Sequence, residues 1–90
     1  MNICVVSSFD GDAEEFISMV EEFDEEMKSA VSDFEIGVID TNKPGTSKVI
    51  TMLNITDEER FQEIMSSPKM VEWDKAHKNT DIIYSLERIN

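Results

Sequence analysis

A single cysteine excludes an internal disulfide. Small secreted domains usually need several, so the expected setting is reduced and cytoplasmic. Basic residues are scarce: eight Lys and Arg stand against 20 Asp and Glu, for a net charge of −12. Such a surface repels phosphate backbones and anionic lipid. This argues against nucleic acid and against docking to a membrane, and its plainest use is solubility. Long apolar runs are missing as well. The longest, Ile3-Cys4-Val5-Val6, has four residues, far short of the ~20 that span a bilayer. The stretch from Met1 carries no Lys or Arg and turns polar at Ser7, unlike a signal peptide. There is no Gly-rich phosphate loop, no Ser-His-Asp arrangement and no zinc ligand set. Asp10-Gly11-Asp12 lacks the remaining ligands of a calcium loop. Neither a metal nor a cofactor is expected.

No repeat, low-complexity stretch or linker divides the 90 residues, so 1–90 is read as one domain with a modest core. Ile3 to Ser7 reads as a short buried strand. Asp12, with Glu15 three residues on, has the spacing of a capping box. Phe16, Ile17, Val20, Phe23, Met27, Ala30, Val31 and Phe34 follow at three- and four-residue steps, the stripe of a helix of about five turns. Phe34–Asp40 reads as a second strand, with Gly37 as a place for a bulge. Thr41–Gly45 is turn chemistry. Lys48–Ile55 is a third strand, so strands two and three form a hairpin. Thr56 to Glu59 has the form of a second capping box, with Phe61, Ile64 and Met65 inward on the helix that follows. Ser67-Pro68 should break that helix, with Ser67 capping a new one from Pro68 to about Lys78. Ile82–Ile89 reads as the last strand.

The order β-α-β-β-α-β is an α+β, ferredoxin-like plan: a four-stranded antiparallel sheet with helices on one face. Right-handed crossovers put strands one and three side by side at its centre, and they are expected to run parallel. Strands two and four flank them. The second face of this sheet should be wet, yet the strands are apolar on both sides: Cys4 and Val6, Ile50 and Met52, Ile83 and Ile89 are left over. Exposed patches of this kind usually mean a partner. The simplest cover is a second copy packed face to face, so a homodimer through the exposed sheet face is expected.

The element order, together with Ile55-Thr56-Asp57-Glu58-Glu59-Arg60-Phe61, Met65-Ser66-Ser67-Pro68, Trp73 and His77, resembles the dimeric α/β-barrel proteins. That superfamily includes the antibiotic-biosynthesis-monooxygenase-like family. As topology the resemblance covers nearly the whole chain; as residue motif it covers about residues 55 to 79. It implies a dimer whose two sheets close into a barrel, with a cavity between sheet and helices in each protomer. It does not imply one activity, because the superfamily holds monooxygenases, isomerases, haem-degrading enzymes and proteins with no assigned role.

Met70, Trp73 and His77 stand at i, i+3 and i+7 of the last helix and so share a face. An aromatic wall beside an imidazole could bind a planar ligand or move a proton. Plain packing of Met70 and Trp73, with His77 suiting a helix C-terminus, is the bland alternative. Tyr84 could bring a hydroxyl into the same cavity, or be an ordinary half-buried tyrosine. The expected ligand pocket is thus Met70, Trp73, His77 and Tyr84, with His77 as the candidate catalytic group. Its ligand would be a small apolar or aromatic molecule. Cys4, with apolar neighbours, reads as buried filler.

Ala76-His77-Lys78-Asn79 also resembles the stretch carrying the axial histidine of the haem-degrading monooxygenases, which would make His77 an iron ligand. The departures weigh against it. The family's Trp stands ten residues before that His, where this chain has Ser67, and the family's first-strand Asn has only Asn2 as its counterpart. The net charge also opposes two propionates unless Lys75, Lys78 or Arg88 gathers at the cavity mouth. The reading of function is a small-molecule-binding dimer with no demonstrable catalytic motif. Its alternative is a cofactor-independent monooxygenase or isomerase in the same cavity. A structural subunit with a fully packed interior is the third.

Overall fold

The computed structural model describes residues 1–87 and Ile89. Its elements in chain order are β1 (Ile3–Asp10), α1 (Ala13–Glu22), α2 (Asp24–Met27), β2 (Val31–Ile39), β3 (Thr46–Ile55), α3 (Glu58–Met65), α4 (Pro68–His77) and β4 (Thr80–Ser85). The four strands form one sheet in the order β2-β3-β1-β4, with every neighbouring pair antiparallel. The expected neighbours are present, but β1 and β3 run antiparallel rather than parallel. Each helical crossover returns the chain parallel to the strand it left, two places along the sheet. β2 is therefore parallel to β1, and β3, folded back on β2 by the hairpin, opposes both.

Asp12 caps α1 as a full capping box: its side chain accepts from the Glu15 N–H at 3.0 Å, and Glu15 accepts from the Asp12 N–H at 2.8 Å. Gly11 precedes it at φ +120°, and a side chain there would run into the Glu15 carboxylate that closes the box. The long helix expected here is shorter. It stops at Glu22, a single turn follows, Ala30 lies in the turn before β2, and Val31 begins that strand. The Ala30 carbonyl accepts from the Thr56 and Asp57 N–H groups, so residue 30 is tied to the end of β3 and cannot continue a helix. Within α1, Ile17 is 37 % exposed, and Met19 takes the buried place.

α3 is capped by Asp57, one residue after the Thr56 expected, because the Thr56 hydroxyl donates to the Ala30 carbonyl instead. The break before Pro68 lies where the sequence puts it. Ser67 stands at the cap but donates its hydroxyl back to the Ile64 carbonyl, so it gives α4 no side-chain cap. The irregularity in β2 falls between Val31 and Asp33 rather than at Gly37. β4 ends at Ser85, where β1 offers no further partner beyond the Leu86 N–H bond to the Asn2 carbonyl. Ile89 is therefore outside the strand and 94 % exposed. Arg88, placed on that strand by the sequence pattern, lies outside the described residues.

Pairing fixes the faces. Val5, Ser7 and Phe9 of β1 stand level with Thr51, Val49 and Ser47 of β3, and Ile83 and Asp81 of β4 stand beside Val5 and Ser7. This face meets the helices and makes the core, where Val49, Phe9, Phe16, Phe61, Ile64 and Met70 are buried. Cys4 and Val6 share the other face with Met52, Ile50, Tyr84 and Ile82. No helix among the described residues is long and apolar enough to cross a membrane.

Candidate functional site

Between the sheet and the helices lies a cavity of about 70 Å³. It crosses under all four strands, from Phe34 on β2, past Thr51 and Leu53 on β3 and Val5 on β1, to Asp81 on β4. Phe34, on the edge strand, is 40 % exposed. Four methionines, Met19, Met27, Met65 and Met70, form part of the helical wall. Their unbranched side chains adapt to irregular guests, and a guest larger than this volume would have to displace them.

The far end of the cavity is polar. The Ser7 hydroxyl donates to Asp81 Oδ1 at 2.7 Å, and the Asn79 amide donates to both Asp74 Oδ1 at 3.0 Å and Asp81 Oδ1 at 2.9 Å. Lys78 turns the chain at the end of α4 in the left-handed conformation, and the Asn79 N–H closes that turn on the Asp74 carbonyl. The loop so formed carries Asn79 back toward α4 and leads directly into Asp81 of β4. Two polar atoms of cavity-lining residues, Asn79 Oδ1 at this end and Thr51 Oγ1 on β3 level with Val5, are shut off from solvent and have no protein partner. Groups of this kind are uncommon in native interiors.

Burial lifts the Asp74 carboxyl above its ordinary range, and the nearby Asp81 charge lifts it further, against a lowering by the Asn79 hydrogen bond. A carboxyl raised in the folded state binds its proton more tightly there than in the unfolded chain. Stability therefore falls as pH rises from the ordinary carboxylate range, about pH 4, through the raised value. Asp74→Asn should accordingly raise the melting temperature at neutral pH. That gain should shrink as pH is lowered past the ordinary carboxylate range, as thermal unfolding at several pH values would record. A variant that gains nothing at neutral pH would contradict this.

The residues singled out by the sequence do not form one site. Met70 lines the cavity and is 2 % exposed. Trp73 and His77 sit beside it in an aromatic cluster. Their rings stack at 4.1 Å, and Phe9 and Phe16 pack edge-on against Trp73. Tyr84 is on the opposite face of the sheet, level with Cys4 and 52 % exposed. Both faces of β4 carry large apolar residues, so its register could not be read from alternation.

His77 donates from Nδ1 to the Trp73 carbonyl at 2.9 Å, and its Nε2 faces Glu15 Oε1 at 3.8 Å. A haem iron does not fit this arrangement: a carboxylate stands where the metal would, and Trp73 covers one face of the ring. Asn2 holds the backbone of Ile55 through both ends of its amide and is not free to meet a ligand. Lys75 and Lys78 are exposed and do not line the cavity. Among the described residues, no three His, Cys, Asp or Glu side chains are grouped to hold a metal ion.

Ser7, Thr51, Asp74, Asn79 and Asp81 escaped the sequence reading. A signal existed for two of them. Ser7 and Thr51 each interrupt an apolar alternation on the helix-covered face, between Val5 and Phe9 and between Val49 and Leu53. The loop that returns Asn79 to Asp74 left none.

No protein-family model and no curated protein matches the chain. Solved structures do. A dimeric ferredoxin-like protein from an uncultured marine organism aligns over 100 % of this chain and 96 % of its own, with a TM-score of 0.59 and 10 % identity. A mutant of SnoaB, a cofactor-independent oxygenase from Streptomyces nogalater, aligns over 98 % and 95 %, with a TM-score of 0.58 and 14 % identity. HapK from Hahella chejuensis aligns over 99 % and 93 %, with a TM-score of 0.58 and 19 % identity. The shared feature is the ferredoxin-like fold.

Proposed function

We propose that this chain binds a small, largely apolar molecule in the cavity between sheet and helices, and does so as a homodimer joined through the outer sheet face. The observation that carries the binding reading is the combination of an apolar, methionine-walled cavity with polar groups converging at one end, the lining of a small-molecule site, in a space of about 70 Å³ that limits the guest to a compact molecule. Thr51 Oγ1 and Asn79 Oδ1, buried without protein partners, are what a ligand would satisfy. His77 and Trp73 support the wall from behind through Phe16, which belongs to both the aromatic cluster and the cavity lining.

The dimer reading rests on the other face. Val6, Ile50 and Met52 lie at its centre with Ile82 and Tyr84 beside them, both of these 52 % exposed. The charged residues of that face, Asp10, Asp33, Glu35 and Lys48, stand at its ends or on its edge strand. In a chain that is 31 % charged, an uncharged centre of this kind suits an interface core. The dimeric ferredoxin-like proteins of the same fold add to this reading.

Toluene is a suitable first probe of the cavity, followed by amide and methyl NMR. Shifts should concentrate at Val5, Leu53 and Met70, and Thr51→Leu, which adds bulk to the cavity floor, should weaken them. Shifts confined to Ile82 and Tyr84 would sink the reading.

A catalytic version is favoured by one observation, the paired carboxylates at the cavity end with Asp74 raised. Such a group can take a proton from a bound phenol and leave an electron-rich phenolate to react with dioxygen. The cofactor-independent oxygenase of like fold adds support. Oxygen uptake with phenolic substrates, lost in Asp74→Asn, would distinguish catalysis from binding alone.

A further inference from the structure

We infer that the ligand presents a hydrogen-bond donor, best of all a cationic ammonium, to the Asp74–Asn79–Asp81 end of the cavity. This deepens the proposed binding reading and rests on it. The inference follows from which valences the site has left. The Asn79 amide lies between two carboxylates, which only accept, so its NH2 group must face them and both its protons are used. The Ser7 proton is used on Asp81. The free positions at this end are then Asn79 Oδ1 and the second oxygens of Asp74 and Asp81. All are acceptors only.

A ligand carboxylate, phosphate or bare carbonyl would meet oxygen against oxygen. A hydroxyl would satisfy one acceptor. An ammonium, with three protons and a positive charge, can satisfy several at once. Charge points the same way. The charged residues lining the cavity are Asp24, Asp74 and Asp81, all acidic. Asp24 is paired with Lys28 at 3.2 Å. Among the described residues neither Asp74 nor Asp81 has a cationic partner. Their two carboxylates share a single amide donor, a crowded arrangement that a cation between them would relieve. The apolar lining of Val5, Phe16, Leu53, Phe61 and Met65 takes the rest of the molecule, so the class is a compact amine with a hydrocarbon or aromatic body.

Four probes of nearly one shape test this: toluene, benzyl alcohol, benzylamine and benzoate, titrated into the full chain. Benzylamine should bind tightest, about ten- to a hundred-fold better than toluene, as a charge-assisted hydrogen bond affords. Benzyl alcohol should fall between them, and benzoate should be excluded. Asp74→Asn should remove most of the benzylamine advantage and leave toluene binding intact, which also shows that the variant folds. Asp81→Asn should act alike. Glu72→Gln makes the same change of net charge on the exposed side of α4, away from the cavity lining, and should leave the advantage in place. If toluene binds but benzylamine gains nothing over it, or benzoate binds as well, the donor assignment is overturned and the cavity reading stands. Equal losses in Asp74→Asn and Glu72→Gln would also overturn it, by showing general attraction to an acidic protein. If toluene itself does not bind the wild-type chain, the cavity reading has failed, and this inference with it.

Discussion

Ile50→Glu should convert a two-chain species to a single chain of 10.3 kDa in sedimentation equilibrium at micromolar concentration, with the circular dichroism of the folded chain retained. Ile50 stands on β3, one of the two central strands, on the outer face, opposite Val6 on one side and Gly37 on the other. A glutamate there would bury an unpaired carboxylate in the proposed interface, which costs several kcal/mol. In the separated chain the same side chain points into water and costs little. The variant thus separates association from folding. A wild-type chain that already sediments as one copy would refute the dimer directly. A variant that remains paired would place the interface elsewhere.

Phe61→Ala should lower the free energy of unfolding by about 3–5 kcal/mol in urea denaturation, a large part of the 5–15 kcal/mol that domains possess. Phe61 is 4 % exposed and belongs both to the core and to the cavity lining. Truncating it therefore widens a space that already exists. This links stability to binding: toluene should bind the variant more tightly than the wild type and restore part of the lost stability, since a ligand taken only by the folded state stabilises it by mass action. A large loss with no recovery on adding toluene would mean that the interior had collapsed, or that the cavity does not accept a guest.

Much of this fold could be read from local chemistry. The Asp12–Glu15 box, the break at Pro68 and the hairpin through Thr41–Gly45 each depend on a few adjacent residues, and each lies where the residues put it. The sheet's apolar outer face was legible in Cys4, Val6, Ile50 and Met52, which exceed what one layer of helices can cover; Ile83, counted with them, stands level with Val5 on the helix-covered face, Ile89 lies beyond the strand, and Ile82 and Tyr84 take the outer side of β4. The errors arose where distant contacts decide. The apolar stripe of α1 runs on through Ala30 and Val31 with helical spacing, but the Ala30 carbonyl belongs to the loop after β3. The direction of β1 against β3 depends on following both crossovers to their ends.

The candidate site was the least legible part. Its sequence markers were the rare residues Trp73, His77 and Tyr84. The first two became an aromatic brace and the third went to the outer face. The polar end is built from common residues, Ser7, Asp74, Asn79 and Asp81, which become unusual only when β1, β4 and the end of α4 bring them together. Asp74 is unremarkable in sequence and acquires its raised carboxyl from burial and from Asp81, seven residues away.

The central claim is that the space between sheet and helices receives a small molecule. A crystal of the full chain soaked with iodobenzene tests it most directly, because the iodine marks its own position by anomalous scattering. The account predicts an iodine peak inside the cavity, among Phe16, Leu53, Phe61 and Met65, with the methionine side chains shifted to admit the ring. Iodine found only on the outer face beside Ile82 and Tyr84, with the cavity walls closed on one another, would contradict it.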